Sequence, residues 1–167
     1  MNIRRPMSFL FITCILLVFI IKPIDSFGQQ EIIRLSRGQT LYVPVYSQIY
    51  YGDRERPYWL AVTVSIRNTD QTYPITIIRA DYYGTKGELL KRYIDSPLKL
   101  NANTSTRFVV KESEDKGGSG ANFIVVWVSE NAVNPPIIES IMIGTLYQRG
   151  ISFTSRGQAI LEHGAKP

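Results

Sequence analysis

Residues 117–130 read Gly-Gly-Ser-Gly-Ala-Asn-Phe-Ile-Val-Val-Trp-Val-Ser-Glu, and how they are read decides the fold. Phe123 to Val128 form an unbroken apolar run, β-branched or aromatic throughout. Such a run is too short for a helix crossing a core, and glycines precede it, so it predicts a strand buried on both faces. Alternation turns Phe123, Val125 and Trp127 toward an opposing sheet and Ile124, Val126 and Val128 the other way. That second apolar face needs cover of its own, from the N-terminal arm or from a partner.

The segments around it read as neighbouring strands. Tyr58 to Asn68 alternates most cleanly, with Leu60, Val62, Val64 and Ile66 against Ala61, Thr63, Ser65 and Arg67, the period of a half-buried antiparallel strand. Ile75 to Tyr83 is predicted to place Ile78, Ala80 and Tyr82 on one face, with Arg79 and Asp81 on the other. A turn at Gly84 to Gly87 and a return over Glu88 to Ile94 give a hairpin signal. Thr106 to Lys111 is a strand with Phe108 and Val110 on one face.

Farther out, residues 29–39 hold an edge-strand candidate and Thr40 to Tyr46 another strand. Pro44 in the latter cannot donate to a ladder, which puts it at an edge or a bulge. Ser47 to Pro57 reads as a long polar and aromatic loop. After the central run, Asn131 to Pro136 is a break, Ile137 to Leu146 is mostly apolar, and Ile151–Ser155 and Gln158–Leu161 are short closing strands. Roughly eight to ten strands with turn chemistry between them predict an all-β chain, a single immunoglobulin-like antiparallel β-sandwich over residues 29–161, with a flexible tail over 162–167.

The first 28 residues stand apart. Arg4 and Arg5 precede an apolar run, Phe9 to Ile21, followed by Pro23 and the small residues Ser26 and Gly28. This is the pattern of an export signal cut after Gly28. An uncleaved membrane anchor is the alternative, although the run is shorter than the ~20 residues a spanning helix wants. Cys14, the one cysteine, lies inside the run rather than at its end, where lipid attachment would need it. Cleavage leaves no cysteine, hence neither disulfide nor thiol chemistry. It also removes Arg4, Arg5, Lys22 and Asp25, so the net charge falls from +5 to +3, with no run of like charge to attract an anionic partner.

Catalytic groups are scarce. The one histidine, His163, lies near the C-terminus in the predicted tail, and zinc clusters are absent from the sequence. No catalytic residue, metal site or cofactor is assigned. Loop carboxylates acting as an acid–base pair keep an envelope enzyme of unknown class open as the alternative function. Glu112, Glu114 and Asp115 lack the spacing of a calcium loop. Gly117, Gly118, Gly120 and Asn122 form a glycine loop leading into a strand; a phosphate cradle would need Lys-Ser/Thr and a helix, so a turn needing positive φ is the reading preferred.

The aromatic cluster is the candidate binding site. Tyr42, Tyr46, Tyr50, Tyr51 and Tyr58 fall within seventeen residues, with Trp59 alongside and Arg54 and Arg56 between. Exposed aromatic faces stack on sugar rings, and arginine holds carboxylates or phosphates bidentately. Tyr50, Tyr51, Arg54 and Arg56 are therefore the candidate ligand residues, for an envelope glycan or a protein. The competing reading makes Tyr42, Tyr46 and Tyr58 strand residues with buried rings. Nucleic acid is not expected as a partner, because the basic residues do not cluster. A weak homo-oligomer is expected through Ile124, Val126 and Val128 or along the edge near Pro44.

Read together, Gln39-Thr-Leu-Tyr-Val-Pro-Val-Tyr-Ser, Ile49-Tyr-Tyr-Gly-Asp-Arg, Ser65-Ile-Arg-Asn-Thr-Asp, Gly117-Gly-Ser-Gly-Ala-Asn-Phe and Gly150-Ile-Ser-Phe-Thr-Ser-Arg-Gly resemble a family of short exported bacterial proteins known as domain of unknown function 3124, over roughly residues 35–160. More loosely, Leu60 to Asn68, the hairpin to Leu90 and the stretch from Leu100 to Val110 resemble immunoglobulin-like modules of exported and envelope proteins. The resemblance implies export to the periplasm or cell envelope, with membrane attachment only if the signal stays uncleaved. It implies no activity and no catalytic residue.

Overall fold

A computed structural model describes residues 34–146 and 149–163, all within one compact unit, Ile33–Pro167. The signal expected over 1–28 and residues 164–167 of the expected tail lie outside the described residues. The strands are β1 (Ser36–Pro44), β2 (Gln48–Tyr51), β3 (Arg56–Trp59), β4 (Ala61–Arg67), β5 (Ile75–Tyr83), β6 (Leu89–Arg92), β7 (Leu98–Leu100), β8 (Ser105–Val110), β9 (Asn122–Val133), β10 (Ile137–Leu146), β11 (Arg149–Arg156) and β12 (Gln158–Glu162). Among the described residues there is no helix, and so none long and apolar enough to cross a membrane.

The chain is an all-β antiparallel sandwich, as the alternation predicts. One sheet runs β12-β1-β9-β5-β6, with β7 also on β5; the other runs β11-β10-β4-β8. β9 is the centre of the first sheet because its inward residues are flanked on both sides by apolar partners. Val125 lies between Leu41 and Ala80, and Phe123 between Val43 and Tyr82. Against them the second sheet sets Val62, Val64, Ile66, Phe108, Val110, Ile138 and Met142, and Trp127 is wholly enclosed. Alternation writes this core. The outward residues Ile124, Val126 and Val128 are half-buried, in rows with Tyr42 and Asp81, Thr40 and Arg79, and Gly38 and Thr76 respectively.

Several expectations are corrected. Residues 47–57 are not a loop: β2 and β3 pair as a two-stranded ribbon, Gln48 opposite Trp59 and Tyr51 opposite Arg56. Ile78 is exposed, and Ile77 takes the inward place expected of it, because the register shifts between Ile77 and Arg79. A bulge of this kind adds one residue and turns every side chain before it to the other face. The strand expected within 29–39 begins β1, where Ser36 to Gln39 pair with β9 on one side and β12 joins on the other side only at Gln39. Pro44 lies past the last residue paired with β12, where β1 is locally an edge. The tail expected from 162 is corrected at its start: Glu162 ends β12 opposite Gln39, and the His163 N–H donates to Gly38 O at 2.8 Å.

Candidate functional site

The ribbon sorts the aromatic cluster by the parity of each residue. Gln48, Tyr50, Pro57 and Trp59 share one face, and Ile49, Tyr51, Arg56 and Tyr58 the other. The second face is anchored, since Ile49 and Tyr58 pack on the core and the Tyr51 ring meets Tyr58 edge-on at 6.2 Å. On the first, the Gln48 amide donates to the Tyr50 hydroxyl at 2.6 Å. The four residues singled out from sequence therefore do not converge. Tyr50 and Tyr51 point oppositely, Arg56 follows Tyr51, and Arg54 sits exposed in the turn, which Gly52 and Glu55 close with positive φ. Of the other tyrosines, Tyr46 packs edge-on against Phe153 at 5.8 Å, whereas Tyr42 is 38% exposed on the outer sheet face, not buried as the competing reading had it.

The glycine loop is a clasp. Gly117 O accepts from Thr85 N at 2.9 Å and Thr85 Oγ1 at 2.8 Å, Gly118 N donates to Ser47 Oγ at 2.7 Å, and Gly120 N to Thr85 Oγ1 at 3.0 Å. Those N–H groups are spent on the protein itself, so they offer no anion cradle. Two glycines are dictated sterically. Gly118 has φ +81°, and a Cβ on Gly117 would run into the Tyr82 hydroxyl and come within 2.9 Å of Ser47 Oγ. Asn122 opens β9 opposite Pro44 and Tyr83.

Before the clasp comes the acidic segment, in which Glu112, Ser113 and Asp115 are exposed. Trp59, Glu112, Ser113 and Asp115 line a shallow depression, and Ser113 and Asp115 also line its continuation beside Tyr82, Leu89, Leu90, Lys91, Glu114 and Lys116. Lys91 stands 3.9 Å from Glu114 and 4.4 Å from the centre of the Tyr93 ring. Glu112 and Asp115 have no hydrogen-bond or ion-pair partner among the described residues. Burial, with the Glu114 charge behind it, pushes the Tyr93 hydroxyl far above the ordinary phenol range. Burial also raises the Tyr82 pKa, opposed by the nearby Ser47 hydroxyl, although Tyr82 Oη has no partner in hydrogen-bond geometry. Both phenols stay neutral, which suits contact rather than proton transfer near pH 7.

Trp59, Ser113 and the acids escaped selection as a site from sequence because more than fifty positions separate them; only the ribbon and clasp bring them together. Elsewhere, His163 Nε2 lies 2.9 Å from Thr40 Oγ1, and the neighbouring Glu162 accepts from Ser36 and from Gln39 Nε2 at 2.8 Å. Among the described residues His163 has no carboxylate to orient it, the element a nucleophile–histidine pair needs. No group of three or more His, Cys, Asp or Glu side chains among the described residues comes together to hold a metal.

A two-layer antiparallel sandwich with an aromatic ribbon and an acidic depression at one end defines the class. Residues 38–160 match the family described as Protein of unknown function (DUF3124), and the chain belongs to that family. No curated protein matches it. Among solved structures it is similar to a crystal structure of Thermotoga maritima 1070, at 10% identity with a TM-score of 0.45, covering 74% of this chain and 96% of that one. A likeness at that level carries no argument.

Proposed function

We propose that this is an exported, non-enzymatic binding module of the bacterial cell envelope that holds a glycan against the aromatic face of the β2–β3 ribbon. One observation carries the reading: Trp59, on the same ribbon face as the half-exposed Tyr50, opens onto Glu112, Ser113 and Asp115. Flat aromatic surface flanked by polar groups is what sugar rings need, stacking for affinity and hydrogen bonds for orientation. Export rests on Arg4, Arg5 and the run from Phe9 to Ile21; a mature N-terminus at Gln29, read by mass spectrometry of the secreted protein, is the expected outcome.

Retention on purified cell-wall material tests the binding reading. Replacing both Tyr50 and Trp59 with Ala is expected to abolish retention, and undiminished retention would sink it. The same carboxylates support the rival reading of an envelope enzyme. Turnover of an ester, glycoside or phosphate substrate that Asp115→Asn abolishes would replace binding with catalysis.

A further inference from the structure

We propose that the free edge of β11 pairs with β11 of a second copy of this chain, antiparallel and across a two-fold axis at Phe153. The sheet β11-β10-β4-β8 then runs on from one chain into the next. A strand at a sheet edge presents unpaired N–H and C=O groups, and proteins blunt such edges with bulges, proline, charge or short length. Most edges of the two main sheets are blunted. β12 has five residues and meets β1 through a register shift at Thr40/Leu41. β6 has four residues beside a shift at Tyr82/Tyr83, and β7 has three. On β8, the Val109 carbonyl accepts from the Tyr93 hydroxyl at 3.0 Å. β11 differs. It has eight residues, an unshifted ladder to β10, no proline, and no charge from Gly150 to Ser155. Among the described residues no strand lies on its other side.

The ladder to β10 says which backbone groups are left over. Gly157 N–H donates to Ile138 O at 2.8 Å, one step beyond the Glu139–Arg156 pair. Hydrogen-bonded and non-bonded pairs alternate along an antiparallel ladder. Ile151, Phe153 and Ser155 therefore bond to β10, while Gly150, Ser152, Thr154 and Arg156 turn their N–H and C=O groups to the free edge. A two-fold axis perpendicular to the sheet keeps both faces continuous, which requires opposed residues of one parity. Centred on Phe153, it sets Ser152 against Thr154 of the second copy and Arg156 against Gly150 of the second copy. Free groups then meet free groups, and no like charges are opposed. The side chains agree. Phe153 would lie beside its own copy in a non-bonded pair, where cross-strand side chains come closest. Ile151 shares the inner face of β11 with Phe153 yet is 39% exposed, and the added strand would cover it. A separate observation comes from Gly150. A Cβ there would meet nothing within 4 Å, so no packing within the chain requires a glycine. Opposite Arg156 of a second copy, a glycine leaves room for the long side chain. The pairing thus gives a role to the stretch from Gly150 to Gly157, which the glycan reading leaves without one, and it stands apart from that reading.

Sedimentation equilibrium of protein purified from cells expressing the full chain is the test. A monomer–dimer equilibrium is expected. A single monomeric species up to ~1 mM leaves the edge to a strand of another protein and overturns the inference. Ser152→Pro removes an N–H that only the dimer uses, at an edge position where proline is tolerated. It should weaken association at least ~10-fold while the unfolding midpoint of dilute, monomeric protein stays in place. Undiminished association in that variant puts the interface elsewhere and overturns the inference. Two charge variants read the register without calling on proline. Ser152→Lys with Thr154→Lys opposes like charges twice across the axis and should leave a monomer. Ser152→Lys with Thr154→Glu opposes unlike charges twice and should associate at least as tightly as the wild type. Equal association of these two double variants overturns the inference, even where Ser152→Pro fails to fold.

Discussion

At one end of the sandwich, where β4 and β9 finish, the connections are tied to one another. At the other, where β9 begins, they are tied along a single seam. Asn68, 2% exposed, organises the first end: its amide donates to Tyr73 O at 2.9 Å and Asn101 O at 3.0 Å, and its Oδ1 accepts from Asp70 N at 3.1 Å. Asp70 in turn accepts from the N–H groups of Thr72, Tyr73 and Asn134. Three loops thus share two side chains. The second end has the clasp of Ser47 and Thr85 on the glycines, and beyond it a projecting ribbon and two carboxylates without partners. Where polar groups satisfy one another they specify structure; where they are left over, they are available to something else.

The closed end should break hardest. Asn68→Ala strips partners from the buried Leu100 carbonyl, from the part-buried carbonyls of Tyr73 and Asn101 and from Asp70 N, and an unsatisfied buried group costs about 1–3 kcal/mol. A loss of about 2–4 kcal/mol in urea unfolding is expected, because more than one carbonyl is orphaned. A change under about 0.5 kcal/mol, the size of an ordinary surface substitution, would mean that water replaces the amide and the two ends do not differ.

The seam at the other end comes next. Gly117→Ala drives a methyl into the Tyr82 hydroxyl, and overpacking of this kind costs about 1–3 kcal/mol. Tyr82→Phe alone is expected to leave stability unchanged or to raise it, since it deletes a buried hydroxyl that has no partner. Combined, the two changes should be less harmful than their sum, a coupling that a double-mutant cycle reads directly. Rescue should be incomplete, because the new methyl would still lie 2.9 Å from Tyr82 Cζ and from Ser47 Oγ. Additive losses would separate Gly117 from Tyr82 and remove the steric reason for the glycine.

These two ends differ in how far the chain announces them. The layers are legible because alternation is local: Leu60, Val62, Val64 and Ile66 declare an inward face without knowledge of the partner sheet. The turn chemistry of Asn68-Thr-Asp70 is legible for the same reason, its hydrogen bonds being made within a few residues. Alternation alone puts Ile78 on the wrong face because a bulge interrupts the count, and the extra residue carries no mark of its own. From sequence the ribbon reads as a loop because its turn puts Glu55, not glycine or asparagine, at φ 48°, so the usual hairpin signal is missing. The depression is a third kind of case. Tyr50, Trp59, Glu112 and Asp115 are each visible as residues, but their meeting depends on the clasp between Ser47 and Gly118, a contact between distant positions.

Acid should loosen the closed end. Three N–H donors hold the Asp70 carboxyl below the ordinary carboxylate range, those of Tyr73 and Thr72 contributing most, while burial works in the opposite direction. A carboxylate whose folded pKa is depressed adds stability that is fully present above its unfolded pKa of about 3.9 and is lost as pH falls through the lower folded value. The wild type should therefore lose stability as pH falls below about 4. Asp70→Asn, which cannot titrate, should be less stable near neutrality and show a shallower acid limb. An unchanged limb would remove Asp70 from the ties that close this end.

The smallest stability effect and the largest functional one should coincide at Tyr50. The ring is 50% exposed on the free face of the ribbon, so Tyr50→Ala should move the unfolding free energy by no more than about 0.5 kcal/mol. Tyr51→Ala should cost more, about 0.5–1.5 kcal/mol beyond lost area, because it also removes the edge-on contact with Tyr58. Their order in glycan retention should be reversed, since Tyr50 shares its face with Trp59 and Tyr51 does not. Arg54→Ala and Arg56→Ala serve as the internal control, because one side chain sits in the turn and the other follows Tyr51. Loss of retention in either arginine variant, with Tyr50→Ala still bound, would move the site to the opposite face of the ribbon and leave the acidic depression without a role.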